Sequence, residues 1–538
     1  MTDERIKEAR QLIEVGAQPI VQAWNILKQL EQGEDTEAPV ASNVTVMSTT
    51  NSITVTFDTD EPSMAKLSCP GFEAVDNELD TKHALVLKGL DADTPYQCSL
   101  RLEDSKHNVD EKAWTGLVST KANANTNLAR EVSQFGITWT FDKPYPVGQF
   151  AGGCWWAAGP VKIIGISPDS KTGTRIKNGT MINPSPKSGT VQGFDNNVKH
   201  NGYNSALNVA ENVSVSNPLF VDAGSSLVSS ITFEEAYRNK SQIQAHAILT
   251  ILDAPAPKGS FRPAYSGTDK SIQFNADQIK YELLEELETG TKTPDITKVA
   301  DYFERPWVDH IPGWGGAQIH AVQSMPHYGR DMSSRIGEAA LMLHLDVAGK
   351  ETLAIRFIQL GIDLYGITQD GGGRNWMNNG GHASGRKWPI IFAGIMLGHK
   401  GMMEIAKEDI WFGEDMQTWF VTQSDVGREL KPDTRAPKAL YQQSDVGKAE
   451  WGIRHETNPI SDNAHWLATY RQCCTGNAWL GFVLAARIMK AQELWDHDAL
   501  FAYEDRYIPE SRRQGDKEWM TSWSPWVLEM WDKHRAKF

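Results

Sequence analysis

The chain of 538 residues lacks most of the features that assign a protein quickly. No apolar run reaches the roughly 18 residues that a membrane-spanning helix needs. The opening Met1–Arg10 has no signal-peptide h-region. The chain is therefore expected to work inside the cell, to be released by lysis, or to stand here without its leader. Basic residues are in deficit, 53 against 68 acidic ones, for a net charge of −15. That argues against nucleic acid as a partner but says little about an anionic carbohydrate, which feels the local charge of a cleft. Five cysteines, an odd number, do not describe a disulfide framework. Cys473 and Cys474 are adjacent and do not easily pair with each other; Cys69 and Cys98 lie in one predicted β-domain and could pair, with free buried thiols the expected state. No Gly-x-Ser-x-Gly elbow, Walker loop or dinucleotide glycine pattern occurs, which disfavours an α/β-hydrolase and nucleotide enzymes. His-Glu-x-x-His and zinc-type cysteine spacings are absent too. No cofactor is expected, and a structural divalent cation held by oxygen ligands stays open. No fixed-period repeat is visible, so a solenoid is disfavoured.

What is present is a globular chain, 40% apolar with 19 tryptophans, and long enough for several domains. Residues 1–35 read as an N-terminal helical segment, with Ile6, Leu12, Ile13, Ile20, Trp24, Leu27 and Leu30 in an imperfect stripe and Pro19 dividing it. Such a segment is either an oligomerisation element or a helix packed on its own domain. Short alternating runs follow at Ser52–Phe57, Ala84–Leu87, Tyr96–Leu102 and Trp114–Ser119. Turn residues fall at Pro39, Thr59-Asp60-Glu61-Pro62, Gly89-Leu90, Thr94-Pro95-Tyr96, and Asp104 with Asn108. In that spacing residues 38–121 resemble a fibronectin type III module, with Phe57 where the family has its core tryptophan. The resemblance implies a spacer or binding element rather than a catalyst.

Residues 130–275 read as a second β-domain, with Phe135–Phe141, Val161–Ile166, Leu227–Ile231 and His246–Ile251 as strands. Many short strands predict a sandwich. Trp155 and Trp156, beside glycines, either stack on sugar rings or fill a core; on an alternating strand one faces in and one out. From residue 276 to 538 helical patterns dominate: Ala276–Leu287, Ser334–Leu345, Lys350–Tyr365, Trp388–Leu397 and Asn477–Ala491. Fourteen of the 19 tryptophans lie beyond residue 300, and six of the 14 histidines lie between His310 and His399. A helical array with aromatic, polar loops predicts an α/α-toroid with a cleft across one end. The expected fold is thus multidomain α and β: N-terminal helix, fibronectin-like sandwich, second sandwich and C-terminal toroid.

Three loops carry the chemistry. The richest is Met377 to Pro389, where Asn378, Asn379, His382 and Arg386 sit among glycines ahead of the apolar run Ile390–Leu397. Glycine lets a backbone approach a ligand, and a loop opening a helix sets side chains on a rigid support. The alternative is an Asn-Gly turn that caps a buried helix. A second loop runs from Arg305, Asp309 and His310 to His327, Tyr328, Arg330 and Asp331. A cation near Tyr328 favours the phenolate and suits it to proton transfer; otherwise Tyr328 is a hydrogen-bonded loop residue. The third holds Arg454, His455, Asp462, Tyr470, Arg471 and the Cys473-Cys474 pair. Thr475 is placed to cap the helix that follows. Gln-Ser-Asp-Val-Gly occurs twice, at 423 and 443, with no evident purpose.

These loop residues, together with the expected architecture over residues 130–510, resemble polysaccharide lyases of the α/α-toroid kind, alginate lyases among them. The resemblance implies β-elimination on a uronic-acid-containing polysaccharide. An amide or arginine neutralises the carboxylate, a histidine or tyrosine removes the C5 proton, and a tyrosine protonates the leaving oxygen. By residue type, Asn378 or Asn379 with Arg386 is the neutraliser, His382 or His455 the base, and Tyr328 or Tyr470 the acid. Arg330, Trp376, Arg454, Arg471, Trp155 and Trp156 are then substrate contacts. One rival is an inverting glycoside hydrolase on an α/α-barrel, with Asp309, Asp331, Asp370 and Asp462 as its carboxylates. The other is a non-catalytic carbohydrate-binding or virion protein. The partner expected is an anionic polysaccharide met outside the cell, by secretion or on a phage particle, with no membrane partner. An oligomer would form through the N-terminal helix.

Overall fold

The computed structural model describes residues 35–92, 94–121, 127–198, 202–234, 242–327, 329–377, 380–427, 441–451, 474–513 and 524–538. The N-terminal helical segment expected over 1–35 lies almost wholly outside them. The chain forms two compact units, Met1–Asn123 and Ala124–Phe538.

The described part of the first unit is one five-stranded antiparallel sheet. Its strands are β1 (Ala41–Ser48), β2 (Ser52–Cys69), β3 (Phe72–Lys88), β4 (Pro95–Asp104) and β5 (Val109–Ser119). The expected sandwich of two separate sheets is not what forms. The turn signal Thr59-Asp60-Glu61-Pro62 does not end a strand. Instead β2 runs through it, and its ladder with β3 shifts register between Asp58 and Ala65. Pro62 has no N–H to give to a ladder, so the irregularity falls there. The first half of β2 pairs with β1 and the second with β4, while β3 lines its other side throughout. One sheet therefore curls over a core that includes Ile53, Val55, Leu67, Leu85 and Leu100. Cys69 and Cys98 are joined by a disulfide, not free. The pairing of Ser68 with Ser99 puts them next in register, with Cα atoms 4.4 Å apart. Between β4 and β5 the Asp104 carboxylate accepts from the Lys106 and Asn108 amides at 2.7 and 2.9 Å, the turn that its spacing predicts.

The second unit contains an eight-stranded mixed sheet, again a single curled sheet and not the expected sandwich. Its central strand, Ile243–Leu252, pairs antiparallel with Ser225–Thr232 and parallel with Trp155–Ala158. That strand is buried on both faces. Leu249 and Ile251 face a core enclosed by the curl, whereas Ile248 and Leu252 face the helices. Such double burial explains its almost unbroken apolar sequence.

The helices that follow do not make an α/α-toroid. Among the described residues, strand and helix take comparable shares, 33% and 30%. The helices pack in pairs and share one core with the sheet, where a toroid would close its own ring. Lys350–Ile367 lies on Lys387–Leu397 so closely that a Cβ on Gly361 would be 2.2 Å from the Pro389 carbonyl. Arg330–Met342 crosses Gly476–Ile488 at Gly337 and Gly481. The stretch Ala276–Leu287, expected as helix, forms two 3₁₀ turns. Its amides are taken elsewhere: Lys280 N donates to Met396 O, Leu287 N to His344 O, and Glu285 N to His344 Nδ1. Tertiary partners override a local preference of this size.

The two Gln-Ser-Asp-Val-Gly segments form matching 3₁₀ turns, each closed by the aspartate of its own motif. Gln423 Nε2 donates to Gln443 Oε1 at 3.0 Å, and Gln443 Nε2 returns a bond to Gln423 Oε1 at 2.8 Å. No described helix is long and apolar enough to cross a membrane.

Candidate functional site

Three helices begin close together, and the described residues that lead into them, Gly329, Gly381–Arg386 and Cys474, are in contact. Gly329, one residue before the helix Arg330–Met342, lies against His382: a Cβ there would be 2.3 Å from the His382 carbonyl oxygen and 2.7 Å from Nδ1. Gly381 lies against the Cys474 carbonyl, where a Cβ would be 1.9 Å away, and beside Arg330. Only glycine allows backbones to approach this far. Arg330 Nη1 reaches the Cys474 sulfur at 3.7 Å. Ser384 ties the bundle: its carbonyl and hydroxyl meet Ser333 Oγ at 2.8 and 3.0 Å, and Trp479 Nε1 donates to its hydroxyl at 2.8 Å.

Arg386 is not the free cation that the carboxylate-neutralising role requires. It is 3% exposed, and its Nε donates to Asp309 Oδ2 at 2.8 Å. Nη1 donates to the Ser384 carbonyl at 2.8 Å. The other Asp309 oxygen meets His320 Nε2 at 2.9 Å. Burial opposes ionisation of Asp309, but Arg386 and His320 outweigh it and hold the carboxyl far below the usual range. This buried trio fixes the loop to the segment that carries Arg305 and His310. His382 is itself buried at 3%.

The other expected residues divide clearly. Tyr328, Asn378, Asn379, Arg454, His455, Asp462, Tyr470 and Arg471 lie outside the described residues. Trp376 is 1% exposed and stacks on Phe412 with ring centres 6.0 Å apart. Trp156 is 1% exposed and packs in the core between sheet and helices. Trp155, on the opposite face, is half-buried and donates through Nε1 to the Ser133 carbonyl at 3.0 Å. Asp331 caps the turn ahead of its helix by accepting from His327 N at 2.8 Å. Asp370 is bound to Lys187 at 2.9 Å and to Ser266 at 3.0 Å, on a different cleft. Asp309, Asp331 and Asp370 are thus all committed within the protein.

Glu414 went unnoticed in the sequence. It is fully buried and accepts from Gly385 N at 3.0 Å through Oε2, while Oε1 has no hydrogen-bond partner among the described residues. Burial, reinforced by Asp415, pushes its carboxyl up to about 7. Asp415 in turn binds Lys387 and Trp495 Nε1. This acidic pair therefore grips the loop on both sides of Arg386. Nothing local marks Glu414, since its partner is 29 residues away.

Near this site Asn375 Nδ2 donates to the His310 carbonyl at 2.7 Å. The His310 ring is fully buried, and neither nitrogen has a partner among the described residues. In the first unit Asp35, Glu61 and Asp104 bring carboxylate oxygens within 4.8 Å of one another. Asp104 is already occupied by the amides of its own turn, and the trio supports no metal assignment. The sequence matches no family model, and no curated protein matches it either.

Proposed function

We propose that the protein is a polysaccharide lyase that cleaves a uronic-acid-containing polysaccharide, such as alginate, by β-elimination. The observation that carries the reading is the meeting of Gly329 and Arg330 with the Gly380–Arg386 and Cys474–Asn477 segments at three helix starts. Elimination needs a group to neutralise the carboxylate, a base for the C5 proton and an acid for the leaving oxygen, all at one sugar. In this reading His382 or His455 is the base. Tyr328 or Tyr470 is the acid. Asn378 or Asn379, with Arg330, neutralises the carboxylate, because Arg386 already serves Asp309. The substrate is an anionic polymer outside the cell, which the protein reaches by secretion or on a phage particle.

Glu414 favours a second reading, a glycoside hydrolase. Its carboxyl is raised by burial and its Oε1 has no hydrogen-bond partner among the described residues, the kind of carboxyl that serves such an enzyme as general acid. One experiment separates the two. Incubation with alginate, polygalacturonate and hyaluronan should raise the ultraviolet absorbance of the conjugated enoate product. Release of reducing ends without that absorbance selects the hydrolase. No release from any polymer of the panel counts against both. With activity in hand, His382→Ala should lower turnover by about 10²–10⁴-fold if it transfers the proton. Unchanged turnover would remove it from the mechanism.

A further inference from the structure

A cleft lies in the second unit, independent of the lyase reading. Its volume is about 290 Å³, near the lower end of the roughly 300–1,000 Å³ usual for small-molecule sites. One wall is the irregular loop Phe261–Phe274, and the other is the C-terminal end of the helix Lys350–Ile367. A Cβ on Gly366 would lie 2.1 Å from that of Ala264, so the loop rests directly on the helix.

The loop is held by an unusual amount of buried ionic structure. Arg262, 1% exposed, donates to Asp363 at 2.5 Å, and Asp363 also accepts from Tyr265 N at 3.2 Å. Gln359 brackets Arg262 with bonds to its N–H and carbonyl at 2.9 and 3.0 Å. The Lys270 ammonium is enclosed by the carbonyls of Ala264, Tyr265, Ser266 and Gly267 at 2.8, 3.2, 3.2 and 2.7 Å. Buried charges cost stability that packed apolar groups would not, and their best-attested return is a single defined geometry. Here they turn backbone carbonyls inward and leave the side chains of Thr268, Ser271 and Gln273 exposed at the cleft. The facing helix ends in a π-turn, Thr368–Gly372, with Gly371 at φ 94°. Such turns recur at functional sites.

The chemistry of the lining narrows the ligand. Tyr365 and Phe274, both half-buried, provide flat apolar rings. The Tyr365 hydroxyl and the Gln273 amide have no partner among the described residues. The nearby cations are spent: Arg262 on Asp363, Lys270 on four carbonyls, Lys187 on Asp370. Asp370 is paired with Lys187 and Asp269 bonds Ser271, so the lining offers no free cation to a uronate or phosphate. Ring faces suit the C–H surface of a sugar, while an amide and a phenol suit its hydroxyls. We propose that this cleft binds one neutral sugar ring, as a saccharide-binding site separate from the meeting point of the three loops.

The test is saturation-transfer NMR on the full chain with methyl glycosides of glucose, galactose and mannose, and with glucuronate and tetramethylammonium as charged probes. Transfer to a neutral glycoside, weakened about tenfold by Tyr365→Ala and by Gln273→Ala, with melting temperatures unchanged, is the expected result. Tyr365→Phe should keep more of the binding than Tyr365→Ala, because it retains the ring. Preference for tetramethylammonium or glucuronate overturns the proposal, as does transfer that both alanine variants leave intact. Absence of transfer to every neutral glycoside overturns it as well.

Discussion

At the scale of single residues, the buried groups set the behaviour of the molecule. Removing one member of a buried ion pair strands the other, at a cost of about 3–5 kcal/mol. Arg386→Met should therefore lower stability by about that much in urea unfolding, whereas a loss below about 1 kcal/mol would mean that Asp309 finds other support. His310 supplies a pH-dependent counterpart. Burial, with His246 nearby, pushes its pKa down to about 3. The unfolded chain, with an ordinary value near 6.5, takes up a proton that the native state refuses. The contribution of His310 is therefore complete above pH 6.5 and declines as pH falls toward the folded value, by about 1.4 kcal/mol per unit. Glu414, raised to about 7, acts in the opposite sense over part of this range. The histidine is best read by difference: the stability gap between the native chain and His310→Leu should change by about 1.4 kcal/mol between pH 6 and 5. A constant gap would show that His310 already binds its proton when folded. The sequence marked Arg386, His382 and Asp309 as notable, but not what they do. Arg386 and Asp309 lie 77 residues apart, and their pairing is set by the folding of two loops onto each other.

Among elements, the sequence was most legible where local rules prevail. The helices Lys350–Ile367 and Lys387–Leu397 begin and end close to where their apolar periodicity predicts. The Asp104–Asn108 turn also follows from its residues alone. The sheets were misread because the strands of the first unit continue through residues that ordinarily stop them. The pairing of Cys69 with Cys98 stays one of two open states in the sequence for the same reason, since it depends on which halves of β2 and β4 meet. Closing that 29-residue separation restricts the unfolded chain, for a stabilisation of about 3–4 kcal/mol. Cys69→Ala/Cys98→Ala should lower the stability of the first unit by that order in chemical denaturation, and an unchanged midpoint would contradict it. The helix crossing at Gly337 and Gly481 makes a second test. A Cβ on Gly481 would sit 2.6 Å from the backbone of Gly337, so Gly481→Ala should cost about 1–3 kcal/mol through overpacking. Gly152→Ala meets nothing within 4 Å and should be close to neutral. Equal effects would mean that the helices separate without penalty.

For the whole molecule, the division near Ala124 predicts independent behaviour. Calorimetry should resolve two transitions, and a chain beginning at Ala124 should retain the second with its melting temperature unchanged. A single transition that vanishes on truncation would show that the units fold as one. The helical half was mistaken for a toroid because periodicity reports which face of a helix is covered, not what covers it. Here much of the cover is a sheet, and the strand Ile243–Leu252 serves both cores at once. The duplicated Gln-Ser-Asp-Val-Gly turns carry a consequence for association. Gln423 and Gln443 each give one bond and receive one, so the contact is self-complementary. A self-complementary contact is indifferent to whether its halves belong to one molecule or two. What keeps it internal is the strand pairing beside it, Thr418–Phe420 with Ala449–Trp451, and the backbone bonds from Val421 N to Lys448 O and from Gly447 N to Val421 O. As long as that ladder is intact the clasp closes within one chain, and a chain that loses the ladder has the same two halves to offer a neighbour.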